Sequence, residues 1–191
     1  GVLPDALVRK GIRRLLYARI RELEHGGAES QYEKRKAFIE QLRSGPIALS
    51  AQDANEQHYE VPAAFFQQIL GPRMKYSCGL WPDYNADLAA SEVKMLNLTC
   101  ERAGLEDGQS VLELGCGWGS LSLHMAERLP NSRIVGVSNS RSQKEYIDSV
   151  RRDKGIRNLE ILTADINDFQ APGQFDRVVS VEMFEHVRNY P

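Results

Sequence analysis

Apolar residues recur at helical spacing from Asp5 to His25, with Leu7, Ile12, Leu15, Leu16, Ile20 and Leu23 forming one stripe. Gly26-Gly27 ends that pattern, and Glu29 to Arg43 reads as a second helix stopped by Ser44-Gly45-Pro46. Ile47 to Asn85 is rich in loop residues; it holds a short helix after Pro62 and an aromatic run from Tyr76 to Trp81. Asp87 to Ala103 is a third long helix, broken by Gly104. From Ser110 the period changes. Val111-Leu112-Glu113-Leu114, Ile134-Val135-Gly136-Val137, Leu159-Glu160-Ile161-Leu162 and Val178-Val179-Ser180-Val181 are short β-branched runs. Helical stretches over Leu121 to Arg128 and Gln143 to Lys154 separate the first three, whereas Asp168 to Gln174 is too short for a full crossover helix. This alternation predicts right-handed βαβ units and a parallel sheet. The chain thus divides into a helical extension over residues 1–86 and an open α/β domain over 87–191. Ligands of such sheets bind beyond the carboxyl ends of the strands.

Composition adds exclusions. With 191 residues, 42% hydrophobic and 26% charged, the chain suits one domain with its own core plus an extension. No apolar run approaches the roughly 20 residues that span a bilayer, so a soluble protein is expected. Cys78, Cys100 and Cys116 form no CxxC pair and no metal-ligand spacing, which argues against a disulfide framework or a metal site and fits a reducing cytoplasm. A net charge of -2 argues against a nucleic-acid partner. It hides a local asymmetry, because Arg9, Lys10, Arg13, Arg14, Arg19 and Arg21 load the first helix opposite its leucines. Such a helix either docks its apolar face on the rest of the protein or on a second subunit, or lies on an anionic membrane surface.

The candidate chemistry begins where the first strand meets the first crossover helix, at Glu113-Leu114-Gly115-Cys116-Gly117-Trp118-Gly119-Ser120. Glycines at alternate positions let backbone approach a ligand without Cβ clashes, and the helix start offers free N–H groups. A dinucleotide fold would space its glycines as GxGxxG and place a carboxylate roughly 20 residues on. Here the third glycine comes one residue early, and the second strand ends in Val137-Ser138-Asn139 without a carboxylate. Glu113 precedes the loop, where a ligand ammonium group would find it. The plain alternative is a strand-to-helix turn whose glycines serve packing alone.

Glu-x-Gly-x-Gly-x-Gly resembles the first motif of the Rossmann-like class I methyltransferases. The blocks Asn55-Glu56-Gln57-His58-Tyr59-Glu60, Lys75-Tyr76-Ser77-Cys78-Gly79, Gly115 to Ser120 and Glu182-Met183-Phe184-Glu185-His186-Val187-Arg188-Asn189-Tyr190 are together similar to the cyclopropane-fatty-acid synthase superfamily. Within it, they look nearest to the coclaurine-type N-methyltransferases. The likeness covers about Asn55 to Tyr190. It implies S-adenosylmethionine as cofactor, S-adenosylhomocysteine as product, and a sheet with more strands than the four runs present, so the chain reads as the N-terminal part of such an enzyme.

The resemblance also implies roles. Tyr76 and Ser77 would cover the cofactor's methionine end above Gly115, Gly117 and Gly119. Ser138, Asn139 and Gln143 would take the ribose hydroxyls, since an amide both donates to and accepts from a diol; Gln143 has a bland alternative as a first-turn helix residue. Asp165 and Ile166 would meet the adenine edge, although Asp165 equally suits a turn cap. Glu182, Glu185 and His186 follow the fourth strand, and the resemblance sets Glu185 and His186 beside the transferred methyl, where a proton acceptor would free an amine's lone pair. His186 has the alternative of a satisfied junction histidine. Cys78, in the synthases, helps hold a bicarbonate ion that removes a proton from a lipid carbocation; otherwise it is a small buried cysteine. Glu182 stands where synthases more often carry glycine, which tilts the acceptor from a lipid alkene towards a small amine. A cofactor-binding or interaction module without turnover is the third reading.

Overall fold

The computed structural model describes residues 3–49, 62–81, 83–84 and 86–190. The Asn55–Glu60 block lies outside the described residues. The chain divides into two compact units, one formed by residues 1–46 and 189–191, the other by Ile47–Arg188.

The first unit holds α1 (Asp5–Glu24) and α2 (Gly27–Ser44). Gly26 and Gly27, at φ +95° and +71°, make the left-handed turn between them. Neither helix buries a residue, so the leucine stripe of α1 is exposed along its length. Asn189 Nδ2 donates to Arg43 O at 3.0 Å and to Gly45 O at 2.8 Å, satisfying carbonyls that the end of α2 leaves open.

The second unit runs α3 (Ala63–Ile69), α4 (Leu88–Arg102), β1 (Ser110–Leu114), α5 (Ser120–Arg128), β2 (Arg133–Ser138), α6 (Arg141–Asp153), β3 (Leu159–Thr163), β4 (Arg177–Ser180) and a 3₁₀ turn at Phe184–His186. The strands are parallel, in the order β3-β2-β1-β4. Their alternation splits the core. Val111, Ile134, Ile161 and Val179 face α4, α5 and α6, while Leu112, Val135 and Val137 pack on the opposite side with Phe169 and Phe175 around them. Apolar residues on both faces explain why the runs read as continuous β-branched stretches. Between Phe169 and Arg177 the chain makes no helix, and its two phenylalanines cover the sheet instead.

Local chemistry sets the helix ends. Asp87 caps α4 by accepting from Ala90 N at 2.7 Å, and Ser140 caps α6 by accepting from Gln143 N at 3.3 Å. The segment before α4 belongs to the same compact unit as the sheet. Phe66 of α3 stacks against Trp118 with ring centroids 4.9 Å apart, and Met74 joins them. Long-range aromatic packing of this kind leaves no mark on local periodicity.

Candidate active site

The sequence first builds β1–β2–β3 on one side, then places β4 on the other side of β1. That reversal opens a crevice at the carboxyl ends of β1 and β4. Two cavities occupy it, of about 320 Å³ and about 150 Å³. Gly115, Gly117, Gln143, Glu182 and His186 wall both, so they are lobes of one cleft.

Its floor is the glycine loop. Gly115, Gly117 and Gly119 have φ of +77°, +53° and +78°, a region open to glycine at little steric cost. They nevertheless do different things. A Cβ on Gly115 would lie 2.8 Å from Met183 Cβ, and one on Gly119 would lie 2.6 Å from Ile147 Cγ1. A Cβ on Gly117 would meet nothing within 4 Å. Gly117 therefore presents bare backbone to the cleft, while Gly119 is packed against α6 and lines neither lobe. The amides of Gly115 and Cys116 both donate to Val137 O, at 3.0 and 2.9 Å, which fastens the loop to β2.

Beneath the loop sits Glu113, 3% exposed, accepting a hydrogen bond from the Ser122 hydroxyl. Burial pushes its pKa up to about 7, against the pull of that hydroxyl and of the Lys75 charge. Lys75 is itself buried, and burial lowers its pKa while the surrounding acidic groups Cys78, Glu182, Glu92 and Glu113 oppose the shift. Its Nζ donates to Ser77 Oγ. Cys116, in the loop, is buried with its thiol pushed well up, which keeps it an unreactive packing group.

The larger lobe gathers Tyr76, Ser77, Glu113, Glu182, Glu185 and His186, all foreseen, and adds Lys75, Thr99 and Trp118, which were not. The smaller lobe gathers Ser138, Asn139 and Ile166. Ser138 Oγ donates to Gln143 Oε1 at 2.6 Å, fixing the amide so that Nε2, buried and without a hydrogen-bond partner among the described residues, is left over. A polar atom so placed is costly unless something accepts from it.

Two further candidates lie off the cleft walls. Cys78 is exposed and lines neither lobe; its backbone N donates to Glu182 Oε1 at 3.3 Å. Asp165 also lines neither lobe, and its Oδ1 accepts from Asn167 N at 2.8 Å and Asn167 Nδ2 at 2.9 Å. Those bonds organise the turn after β3, and Asn167 in turn holds Ala48 by bonds of 2.9 and 3.1 Å. Among the described residues, no cluster of three or more His, Cys, Asp or Glu is arranged for a metal ion, and no helix is long and apolar enough to cross a membrane.

Glu182, the first residue of the β4 lip, has φ +52°. A glutamate in the left-handed region is strained, and such strain concentrates at functional sites. It also explains why glycine suits that position.

Comparison with known proteins agrees with this architecture. (S)-coclaurine N-methyltransferase of Thalictrum flavum subsp. glaucum is 40% identical over 100% of this chain and 53% of its own length. Cyclopropane-fatty-acyl-phospholipid synthase of Escherichia coli K12 is 39% identical over 71% of this chain and 34% of its own. A crystal structure of coclaurine N-methyltransferase bound to N-methylheliamine and SAH superposes with a TM-score of 0.84 at 37% identity, covering all of this chain and 55% of that one. The chain spans about half the length of the curated relatives that it matches from end to end. Its residues 48–191, which hold the whole cleft, match the mycolic acid cyclopropane synthetase family, and the chain belongs to that family.

Proposed function

We propose that the full protein is an S-adenosylmethionine-dependent methyltransferase whose acceptor is the nitrogen of a small amine. One observation carries the reading: two carboxylates and an imidazole, Glu182, Glu185 and His186, wall the same lobe as the glycine loop and Glu113. The cleft fits the cofactor on its own terms. Glu113 offers a buried carboxylate to an ammonium group, Gly117 offers bare backbone, and the leftover Gln143 Nε2 beside Ser138 suits a ribose hydroxyl. When bound, the cofactor supplies a methyl group activated by its sulfonium.

The remaining work falls to side chains of this chain. Methyl transfer is an in-line displacement, so alignment of donor and acceptor supplies much of the acceleration. An amine arrives largely protonated at neutral pH. Glu185 and His186, in the wall of the larger lobe, receive that proton and leave the nitrogen lone pair free. Glu182, tied to the backbone N of Cys78, holds the covering segment against the β4 lip. Tyr76 and Ser77 on that segment close over the methionine end.

Identity to the coclaurine enzyme over the whole chain supports an amine acceptor over a lipid alkene, as does the exposed Cys78 standing off the cleft walls. The exposed leucine stripe of α1 and its basic residues support a docking role for that helix, on a second copy or an anionic membrane surface. The test of the function incubates the full-length protein with methyl-labelled S-adenosylmethionine and a mixed panel of amines and unsaturated phospholipids. Label in the amine fraction is expected. Label in lipid, made dependent on bicarbonate, would move the protein to the cyclopropanating branch, and label in neither would leave a binding module.

A further inference from the structure

The larger lobe has an uneven charge. Glu113, Glu182 and Glu185 contribute three carboxylates to its wall, and among the described residues Lys75 is the sole lysine or arginine lining it. An amino-acid ligand brings both an ammonium and an α-carboxylate. The ammonium has Glu113. The α-carboxylate, entering among three like charges, would be repelled unless a cation met it.

Lys75 is placed for that. Lys75 is 7% exposed, and among the described residues its Nζ donates one hydrogen bond, to Ser77 Oγ, and makes no salt bridge. An ammonium has three protons to give, so two stay uncommitted. A buried cation without a paired anion is unfavourable, and it persists where a ligand completes it. The backbone that carries Lys75 is fixed independently. Glu92 of α4, itself buried, accepts from Arg73 N at 3.0 Å and from Lys75 N at 3.1 Å.

The geometry points to Lys75 as the counter-cation that binds the α-carboxylate of the methyl donor, sharing the task with the Ser77 hydroxyl that it holds. The assignment rests on the cofactor proposed above and concerns which end of it each charge receives. The rival role for Lys75 is electrostatic balance of Glu113 alone. The two roles separate when the ligand's carboxylate is removed.

Calorimetric titration of the full-length protein and of Lys75→Met, each with S-adenosylhomocysteine and with its decarboxylated analogue, makes the test. Loss of one charge-assisted contact predicts that Lys75→Met weakens S-adenosylhomocysteine by about tenfold or more, with the analogue changed by less than about twofold. Equal weakening of both ligands overturns the assignment and favours charge balance. The unaltered protein gives a second arm that needs no variant to fold, because it must prefer the carboxylated ligand by about tenfold or more. Parity there overturns the assignment while leaving the cofactor reading intact. Failure of S-adenosylhomocysteine itself to bind would remove the cofactor reading and the assignment together.

Discussion

The β1 side of the cleft is buried, whereas the β4 side is exposed and strained. On the β1 side Glu113, Cys116 and Trp118 are all within 5% exposure, and the amides of Gly115, Cys116 and Gly119 donate to Val137 O and Cys116 O. On the β4 side Glu182, Glu185 and His186 are exposed, Glu182 has a positive φ, and the turn is secured chiefly by its own backbone bonds, His186 N to Met183 O and Val187 N to Phe184 O, both 3.0 Å. The two sides meet where β1 pairs with β4, and beyond the strand ends the Met183 side chain fills the space above Gly115. A preformed floor suits a ligand shared by many reactions, since it needs no rearrangement to bind. An open lip carrying titratable groups suits the step that differs between them. The division predicts that damage on the two sides will be read by different instruments.

The largest expected effect lies on the lip. Glu185→Gln, and separately His186→Ala, should lower turnover of a labelled amine by about a hundredfold or more, while calorimetric affinity for S-adenosylhomocysteine stays within about twofold. A matched fall in affinity would mean that the lip is part of the floor, and the comparison would fail. Next comes a contrast within the floor itself. Gly119→Ala forces a methyl against Ile147 at a left-handed residue and should cost about 3 kcal/mol of folding stability. Gly117→Ala meets no neighbour and should cost about 1 kcal/mol, yet it sets a methyl on the cleft floor and should weaken S-adenosylhomocysteine by about tenfold. Thermal unfolding and titration of the two variants sort packing from binding.

A smaller effect comes from Glu113. Its folded pKa is raised from 4.5 to about 7, so in the empty protein the folded state holds this proton more firmly than the unfolded chain does. That contribution to stability is full below pH 4.5 and is lost as pH rises towards 7. An ammonium-bearing ligand requires the opposite, an ionised Glu113. Affinity for S-adenosylhomocysteine should therefore level off above pH 7 and fall by up to about tenfold per pH unit below it, with about one proton released to the buffer on binding near pH 6. Proton uptake on binding, or a flat profile, would remove Glu113 as the ammonium's partner.

Much of this was legible in the chain. The four strands, the crossover helices and the glycine loop were readable because each is written locally, in a two-residue period, a 3.6-residue period, or a residue type that only a left-handed turn demands. The short piece between Asp168 and Gln174 was readable for the same reason. What escaped depends on partners distant in sequence. Gly119 looked like its neighbours in the motif until Ile147 filled the space beside it. Asp165 reads as a ligand or a turn cap, and nothing local marks its bonds to Asn167 or the hold of Asn167 on Ala48. Lys75 was hidden by its neighbours Tyr76 and Ser77, since nothing local says that a lysine there will be buried among carboxylates. The packing of Phe66 and Met74 on Trp118, across a long stretch of chain, likewise has no local mark.

The smallest expected effect tests the strain on the lip. Glu182 has φ +52°, where a side chain costs about 1 kcal/mol relative to glycine. Its carboxylate partly offsets that by accepting from Cys78 N at 3.3 Å. Replacing Glu182 by glycine alone would mix the two terms, so the informative quantity is the difference between Glu182→Gly and Glu182→Ala. Both lose the carboxylate, and only glycine relaxes the backbone. Glu182→Gly should therefore unfold at higher denaturant than Glu182→Ala, by about 1 kcal/mol. Equal stabilities would mean that the lip is as relaxed as the floor. The contrast between the two sides would then rest on exposure alone, because the β4 turn would have no stored strain to hold its carboxylates and imidazole towards the cleft.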